Sequence, residues 1–181
     1  MDQNIYIIRH CEAEGQSPES TLTEDGFNQA NDLADFLSDV EVDRVISSPF
    51  LRALQTIQPF ATNKNIEIEV DHRLSERILS SMHFSDWMDK LEATFNHMDL
   101  TYKGGESSND AKKRMINVIH DIVTSQSKNS VIVAHGGVIS LLLHHYDQDF
   151  GFKEWKGLSN PDVYVLRLSS ISSNIKRIWI D

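Results

Sequence analysis

Short apolar runs alternate along the chain with longer segments in which apolar residues recur every three or four positions. Residues 5–8 and 131–134 are continuous apolar runs, a pattern typical of strands buried on both faces of a sheet. Four further strands are predicted at 44–47, 66–70, 163–168 and 175–180. Polar and apolar residues alternate cleanly over 66–70, which predicts a strand nearer an edge of the sheet.

Residues with a preference for helix starts mark the helices. Thr23 precedes apolar side chains at helical spacing, and Pro49 suits the start of a helix over 50–61. Ser107 and Asp110 resemble a capping box, which predicts the start of another helix. Two more helices are expected, one along the stripe of Trp87, Leu91 and Phe95 and one after His135-Gly136-Gly137.

This alternation of strands and helices predicts the α/β class. We expect a mostly parallel sheet with helices on both faces, in a three-layer α/β/α sandwich. The chain has 181 residues and no internal repeat or linker, so we expect one domain over residues 1–181. The pattern is least regular over 71–107, and we expect this segment to determine substrate specificity.

Composition and charge narrow the classes of function. The apolar fraction of 40% and the charged fraction of 24% are ordinary for a soluble globular protein. No apolar run approaches the roughly 20 residues that span a bilayer. The net charge is −10 with no basic face apparent, which argues against nucleic-acid binding. The single cysteine and the absence of a signal-peptide pattern fit a cytoplasmic protein.

Two arginines and two histidines follow predicted strands. Arg9 and His10 come after the first strand, Arg52 follows the second, and His135 follows the run at 131–134. Because ligands bind beyond the carboxyl ends of parallel strands, we expect these four side chains to meet at one edge of the sheet. An acidic protein that binds an anion needs this kind of local cluster of positive charge.

These residue types suit phosphoryl transfer. Arginine has a planar fork of donors that matches phosphate oxygens, and it stays charged at any working pH. Helix starts near Pro49 and Gly136 add backbone N–H groups and the positive end of a helix dipole. A neutral histidine can act as a nucleophile toward phosphorus. Such a set can meet the charge on a transferred phosphoryl group without a metal ion or other cofactor.

Six segments of the chain follow a known order of motifs. They are I-R-H-C-E-A-E-G-Q at 8–16, L-T-E-D-G at 22–26, S-S-P-F-L-R-A-L-Q-T at 47–56, R-L-S-E at 73–76, G-G-E-S at 104–107 and V-A-H-G-G at 133–137. In these segments the chain resembles the histidine phosphatase superfamily, which includes the cofactor-dependent phosphoglycerate mutases. The resemblance runs through most of the chain.

The resemblance implies a role for each matching residue. His10 would carry the phosphohistidine, and its phosphate oxygens would be held by Arg9, Arg52 and His135. Gln16 stands where the family usually has asparagine, so its amide would also contact the phosphate. Glu76 would donate a proton to the leaving oxygen and then activate water.

The chain departs from the family pattern at three places. Cys11 replaces a glycine and Ala13 a threonine, so the backbone at Cys11 lacks the conformational freedom of glycine. After Glu76 the common G-x-W-E-G run is replaced by R-I-L-S-S-M-H. This last departure leaves three other candidates for the acid, namely Glu12, Glu14 and Glu106.

Purely structural interpretations of the same residues stay open. Arg9 and Arg52 would then form surface ion pairs, and His135 would be a core histidine. Glu76 would pair with Arg73 or Arg77.

Two other chemistries are weaker alternatives. A cysteine phosphatase built on Cys11 would need an arginine six positions later, where Ser17 stands. His83, His144 and His145 do not have zinc-like spacing, so packing or solvent contact is their default interpretation.

We therefore expect a metal-independent phosphomonoesterase that acts on a small phosphorylated metabolite through a phosphohistidine. Its site residues would be His10, Glu76, Arg9, Arg52 and His135, with Gln16 and Gly136 also contacting the substrate. The first alternative is a mutase, which returns phosphate to a different hydroxyl. The second is a non-catalytic module that binds a phosphorylated ligand.

Overall fold

The computed structural model describes residues 2–125 and 127–180 and contains one six-stranded sheet. The strands are β1 (Gln3–Arg9), β2 (Arg44–Ser47), β3 (Ile68–Val70), β4 (Asn129–Ala134), β5 (Asp162–Leu168) and β6 (Ser173–Arg177). The helices are α1 (Glu24–Phe36), α2 (Leu51–Lys64), α3 (Trp87–Asn96), α4 (Ser108–Thr124), α5 (Gly136–Tyr146) and α6 (Phe152–Lys156). Every predicted helix and strand is therefore present, and α6 was not predicted.

The strand order is β3-β2-β4-β1-β5-β6. The first four strands along the chain are parallel to one another, whereas β5 pairs antiparallel with β1 and β6 antiparallel with β5. The mostly parallel sheet is confirmed, and β3 lies at an edge as the alternation over 66–70 predicts. The last strand was predicted at 175–180 and lies at Ser173–Arg177, because its pairing with β5 sets its ends.

Helices cover both faces of the sheet and form the three-layer sandwich. On one face Ile5, Ile7 and Ile132 pack against Met115 of α4 and Leu142 of α5. On the other face the intervening strand positions pack against α1 and α2, in a cluster that includes Ile8, Val131, Val133, Leu33 and Ile57. Because successive strand residues point to opposite faces and both faces are covered, β1 and β4 are continuously apolar over 5–8 and 131–134.

The helix starts follow the predicted capping residues. Thr23 Oγ1 accepts a hydrogen bond from the backbone of Gly26 at 2.9 Å, and Ser107 Oγ accepts one from Asp110 at 3.0 Å. α2 begins at Leu51, one residue after the predicted start, and it continues to Lys64 rather than ending at 61. No helix among the described residues has the length and apolar character needed to cross a membrane.

The N-cap of α1 gives a stability test. Thr23 Oγ1 both accepts from Gly26 N and donates to Glu12 Oε1 at 2.9 Å, which ties the helix start to the loop after β1. Thr23→Ala is expected to lower the free energy of unfolding by about 1 kcal/mol. Thr23→Ser should keep most of this contribution, because serine also caps a helix. Urea denaturation measures both variants. An alanine variant as stable as the serine variant would show that the cap contributes nothing.

Candidate active site

Three neighbouring strands, β2, β4 and β1, end side by side and bring the predicted site residues together. Arg9 pairs with Ala134 in the β1–β4 register, so His10 and His135 each follow a paired residue. The ladder continues past the strands, since His10 N donates to Ala134 O at 3.1 Å. The two imidazole rings consequently lie 5.1 Å apart, centroid to centroid.

The His10 imidazole is held by one hydrogen bond at each ring nitrogen. Nδ1 lies 2.6 Å from the carbonyl oxygen of Cys11, an acceptor, so the proton of the neutral ring belongs on Nδ1. Nε2 then carries the lone pair and accepts from Arg52 Nε at 3.3 Å. The lone pair of the ring is therefore oriented toward the guanidinium group of Arg52.

Burial keeps this imidazole neutral. Desolvation is the largest cause that lowers the pKa of His10, to about 4, and the charges of Arg52 and Arg9 act in the same direction. The hydrogen bond to the Cys11 carbonyl opposes them. A neutral, nucleophilic ring is thus the dominant form of His10 in the unliganded protein at neutral pH.

His135 is fully buried and lies against Ser48. The Ser48 hydroxyl accepts from Phe50 N at 3.2 Å and lies 2.7 Å from His135 Nε2. A hydroxyl oxygen has two lone pairs, so Ser48 either donates to Nε2, with the ring proton on Nδ1, or accepts from Nε2. His135 Nδ1 has no hydrogen-bond partner in the described part of the chain, and its ring lies next to that of His10. Burial, and secondarily the charge of His10, holds the pKa of His135 well below its usual value.

Arg9 is positioned by backbone carbonyls from the far end of the chain. Its Nη1 donates to Leu158 O at 2.8 Å and to Ser159 O at 3.3 Å. A Cβ atom at Gly136 would lie 3.1 Å from Arg9 Nε, so the glycine lets the guanidinium pack against the start of α5. Arg9 Nε is buried and, within residues 2–125 and 127–180, has no partner.

Arg52 is only 1% exposed although it carries a full charge. Its Nη1 donates to Ser17 O at 2.7 Å, and its guanidinium lies 5.0 Å from the ring centroid of Phe50. The Phe50 ring also packs against His135, with 4.8 Å between centroids. Burial lowers the pKa of Arg52, and the charge of Glu76 opposes that shift.

The Glu76 carboxylate sits at the N-terminus of α5. Its Oε2 accepts from Gly137 N at 3.0 Å, and its Oε1 accepts from Val138 N at 3.1 Å and Arg77 N at 2.7 Å. A Cβ atom at Gly137 would lie 2.6 Å from Oε1, so any larger residue there would displace the carboxylate. Free N–H groups at a helix start and the positive end of its dipole explain why an acid is held there.

A cleft of about 550 Å³ opens onto these groups. Its walls include Arg9, His10, Gln16, Glu76, Gly136 and Asn160. Arg52 and His135 are buried next to it, in contact with the His10 ring. The structure thus brings together all seven predicted site residues.

The residues of the weaker alternative interpretations make contacts that do not support those interpretations. Glu106 forms an ion pair with Arg114 at 2.7 Å, and Arg73 pairs with Asp71 at 2.6 Å rather than with Glu76. Cys11 is buried, and burial raises the pKa of its thiol to about 12, which keeps it protonated. A protonated thiol is not the nucleophile that a cysteine phosphatase needs.

Two residues at the cleft were not predicted from the sequence. Asn160 Nδ2 donates to the backbone carbonyl of His10 at 2.7 Å, and Trp155 forms part of the wall. Both lie just before β5, whose antiparallel direction puts its first residue, Asp162, beside Arg9 at the end of β1. The one available signal was the turn sequence S-N-P-D at 159–162, which does not indicate where the turn lies.

Comparison with known proteins gives the family of the chain. The family model of the histidine phosphatase superfamily (branch 1) matches residues 5–180. The adenosylcobalamin/alpha-ribazole phosphatase of Salmonella typhimurium is 27% identical, with 77% of each chain covered. The glucosyl-3-phosphoglycerate phosphatase of Mycolicibacterium vanbaalenii is 26% identical, with 77% of this chain and 72% of that protein covered.

A solved structure supports the fold independently of sequence. The phosphoglycerate mutase from Bacillus anthracis superposes with a TM-score of 0.77 at 16% identity, covering 98% of this chain and 92% of that one. The phosphoglycerate mutase-like α/β fold is therefore confirmed.

The chain belongs to the histidine phosphatase superfamily, branch 1, as its motifs indicate. Within that class it is a phosphatase, in line with the curated relatives that share its sequence. The interpretation as a non-catalytic module is accordingly set aside.

The free energy of unfolding is expected to decrease as the pH is lowered, because His10 then takes up a proton on unfolding. Its pKa is about 4 in the folded chain against an ordinary value of 6.5, so the unfolded state binds more protons between these limits. The stabilisation is complete above pH 6.5 and is lost as the pH falls through about 4. The loss should be on the order of 3 kcal/mol, and His135 adds to it in the same direction.

Urea denaturation at several pH values checks this expectation. His10→Gln should show a smaller loss of stability than the natural chain between pH 6.5 and 4. His120→Gln is the matched control, since that side chain is 72% exposed. Identical pH dependence in all three proteins would contradict the low pKa of His10.

Proposed function

We propose that this phosphatase hydrolyses phosphomonoesters in two displacements at His10. The state of the His10 ring is the observation that supports this most directly. Its Nδ1 is fixed on the Cys11 carbonyl, while Nε2 keeps a lone pair next to the guanidinium of Arg52. A nucleophile whose lone pair lies beside a cation is suited to attack an anionic phosphoryl group.

In the first displacement, His10 Nε2 attacks phosphorus in line with the ester oxygen. The N–P bond forms as the P–O ester bond breaks, and the departing alkoxide takes a proton from Glu76. Glu76 enters this step as the neutral acid and is the proposed donor because it lines the same cleft as His10 and matches the acid position of the family. The products of this step are an alcohol and a phosphohistidine.

In the second displacement, water takes the place of the alcohol. Glu76, now a carboxylate, removes a proton from the water while the water oxygen attacks phosphorus. The N–P bond breaks, inorganic phosphate leaves, and the proton returns Glu76 to its starting state. One group thus serves as acid and then as base, as the reverse chemistry of the two steps requires.

The non-bridging oxygens need donors that are already in place. Arg9 and Arg52 supply guanidinium N–H groups held by carbonyls and an imidazole, so little reorganisation is needed when charge develops. His135 would donate from its unpartnered Nδ1 in the tautomer in which Ser48 donates to Nε2, and Gln16 would donate from its amide. Gly136 would contribute its backbone N–H at the start of α5.

The substrate is proposed to be a small phosphorylated metabolite, and no metal ion is assigned a role. A mutase shares the first displacement but passes the phosphoryl group to a second hydroxyl, and the two curated phosphatases favour hydrolysis. Phosphate release and isomer exchange with a phosphoglycerate, measured together, separate the two outcomes. A cytoplasmic location and a single domain stay predictions from the sequence.

Replacing the nucleophile tests the proposal. His10→Ala should lower kcat/KM for a chromogenic phosphate ester by about 10³-fold or more, because no other group can carry the phosphoryl intermediate. The assay contains excess chelator, and His120→Ala serves as a surface histidine control. An acid-labile label on the natural chain, absent from His10→Ala, identifies the phosphohistidine. Full activity in His10→Ala would overturn the mechanism.

Replacing Glu76 tests its role as the acid. Glu76→Gln should lower kcat/KM for alkyl phosphates by about 10²–10⁴-fold, because kcat/KM reports the first displacement and glutamine cannot donate the proton. The loss should shrink for aryl esters, whose leaving oxygens need less protonation. Glu106→Gln is a comparison among the other candidate acids, and its effect should not depend on the leaving group. An equal loss for alkyl and aryl esters in Glu76→Gln would show that another group is the acid.

A further inference from the structure

We infer that the leaving group of the natural substrate is an uncharged ring that binds against Trp87 and Trp155. The inference rests on the proposed function, because it concerns the part of the ester that departs beside Glu76. It narrows the substrate class beyond a small phosphorylated metabolite.

The position of Glu76 defines where the leaving group must lie. A smaller cavity of about 160 Å³ adjoins the cleft on the side of Glu76. Glu76, Trp87 and Trp155 line both spaces, so an ester that reaches from the cleft into the cavity passes these three side chains. The cavity is otherwise lined by Arg77, Leu79, Leu91 and Gly137. Two indoles and two leucines therefore surround the space next to the proton donor.

Trp87 and Trp155 form the aromatic wall of the cavity, and a further aromatic ring packs against Trp155. The Trp155 ring stacks on Phe152 with 5.4 Å between centroids and 17° between planes. Phe152 in turn packs against Phe95 of α3 at 6.0 Å. Trp155 is thus fixed by two further rings before any ligand binds, and a fixed aromatic surface costs little conformational entropy on binding.

Trp87 provides a second apolar surface at the start of α3. Its side chain is 46% exposed, although it borders both cavities. An indole exposed at the mouth of a cleft gains free energy when an apolar group covers it. A flat ring of the substrate is the kind of group that covers such a surface well.

Charge argues against an anionic leaving group. Arg9 is the one lysine or arginine among the described residues that line the cleft, and the proposed mechanism assigns it to the phosphate. Arg77 lines the smaller cavity, where it donates to Thr94 Oγ1 at 2.8 Å and Glu106 O at 3.2 Å; its Nη2 has no partner in the described residues but is buried. Glu12 adds negative charge at the cleft, and His83, the other basic side chain there, is exposed to solvent. A carboxylate on the leaving group would therefore find no lysine or arginine of the cleft beyond Arg9 to pair with.

Alkyl esters with matched leaving oxygens test the inference. The substrates are 2-phenylethyl phosphate, ethyl phosphate and O-phosphoserine, so the ring and the charge vary while the phosphoryl group is constant. The natural chain should show a kcat/KM for the phenylethyl ester that is about 10- to 100-fold above that for ethyl phosphate, chiefly through KM. O-phosphoserine should be turned over less efficiently than ethyl phosphate.

Variants then assign the preference to the two indoles. Trp155→Ala and Trp87→Ala should each reduce the ratio between the phenylethyl and ethyl esters several-fold, and Trp155→Phe should retain most of it. The ratio is measured on one protein preparation at a time, so partial unfolding cancels. Trp179→Phe is the control, because Trp179 packs against Phe36 at 5.0 Å and lines neither cavity.

The outcomes separate this inference from the proposed function. A ratio near one, a preference for O-phosphoserine, or a ring preference unchanged in both alanine variants overturns the inference. In each of these cases turnover of ethyl phosphate that depends on His10 leaves the proposed function intact. No turnover of any ester by the natural chain overturns both.

Discussion

The parallel pairing of β1 with β4 is the constraint on which the site depends. Because Arg9 is registered with Ala134, the residues that follow them, His10 and His135, are neighbours although 125 positions separate them. Both faces of β1 are buried, so a slip of one residue would carry a polar end of the strand, Asn4 or Arg9, into the place of the apolar run 5–8. The same apolar contacts that stabilise the core therefore set the distance between the two imidazoles.

Desolvation at this edge of the sheet lowers the pKa of both histidines and both arginines, but the resulting charge states differ. The histidines respond by staying neutral, and His10 thereby keeps the lone pair that it needs as a nucleophile. The arginines stay charged, because the ordinary pKa of guanidinium is so high that burial cannot neutralise it, and backbone carbonyls meet their N–H groups. The acid is held differently again, by the free N–H groups of a helix start. One buried cluster thus contains a nucleophile, fixed cations and an anchored carboxylate.

Much of this arrangement was predictable from the sequence, for identifiable reasons. Buried strands can be identified as apolar runs in the sequence. When such strands are parallel, the residues that follow them lie at one edge of the sheet. This reasoning located Arg9, His10, Arg52 and His135. The acid was identified by resemblance and not by pattern, since nothing in R-L-S-E reveals the helix start that receives it. The contribution of 158–162 could not be foreseen, because the direction of β5 depends on long-range pairing with β1. The aromatic wall likewise joins α3 to α6, two helices far apart in sequence, and α6 is too short to leave a periodic signal.

The central place of β1 in the sheet also has a consequence for biosynthesis. β1 leaves the ribosome before the other five strands of the sheet, and both strands that flank it, β4 and β5, are synthesised more than a hundred residues later. At about 5–20 residues per second, this apolar strand waits several seconds or more with both edges unpaired. During that interval the nascent chain exposes an apolar segment with unpaired strand edges, which is the kind of segment that is prone to aggregation. Arg9 and His10 cannot become functional until the segment that carries Leu158 and Asn160 has left the ribosome.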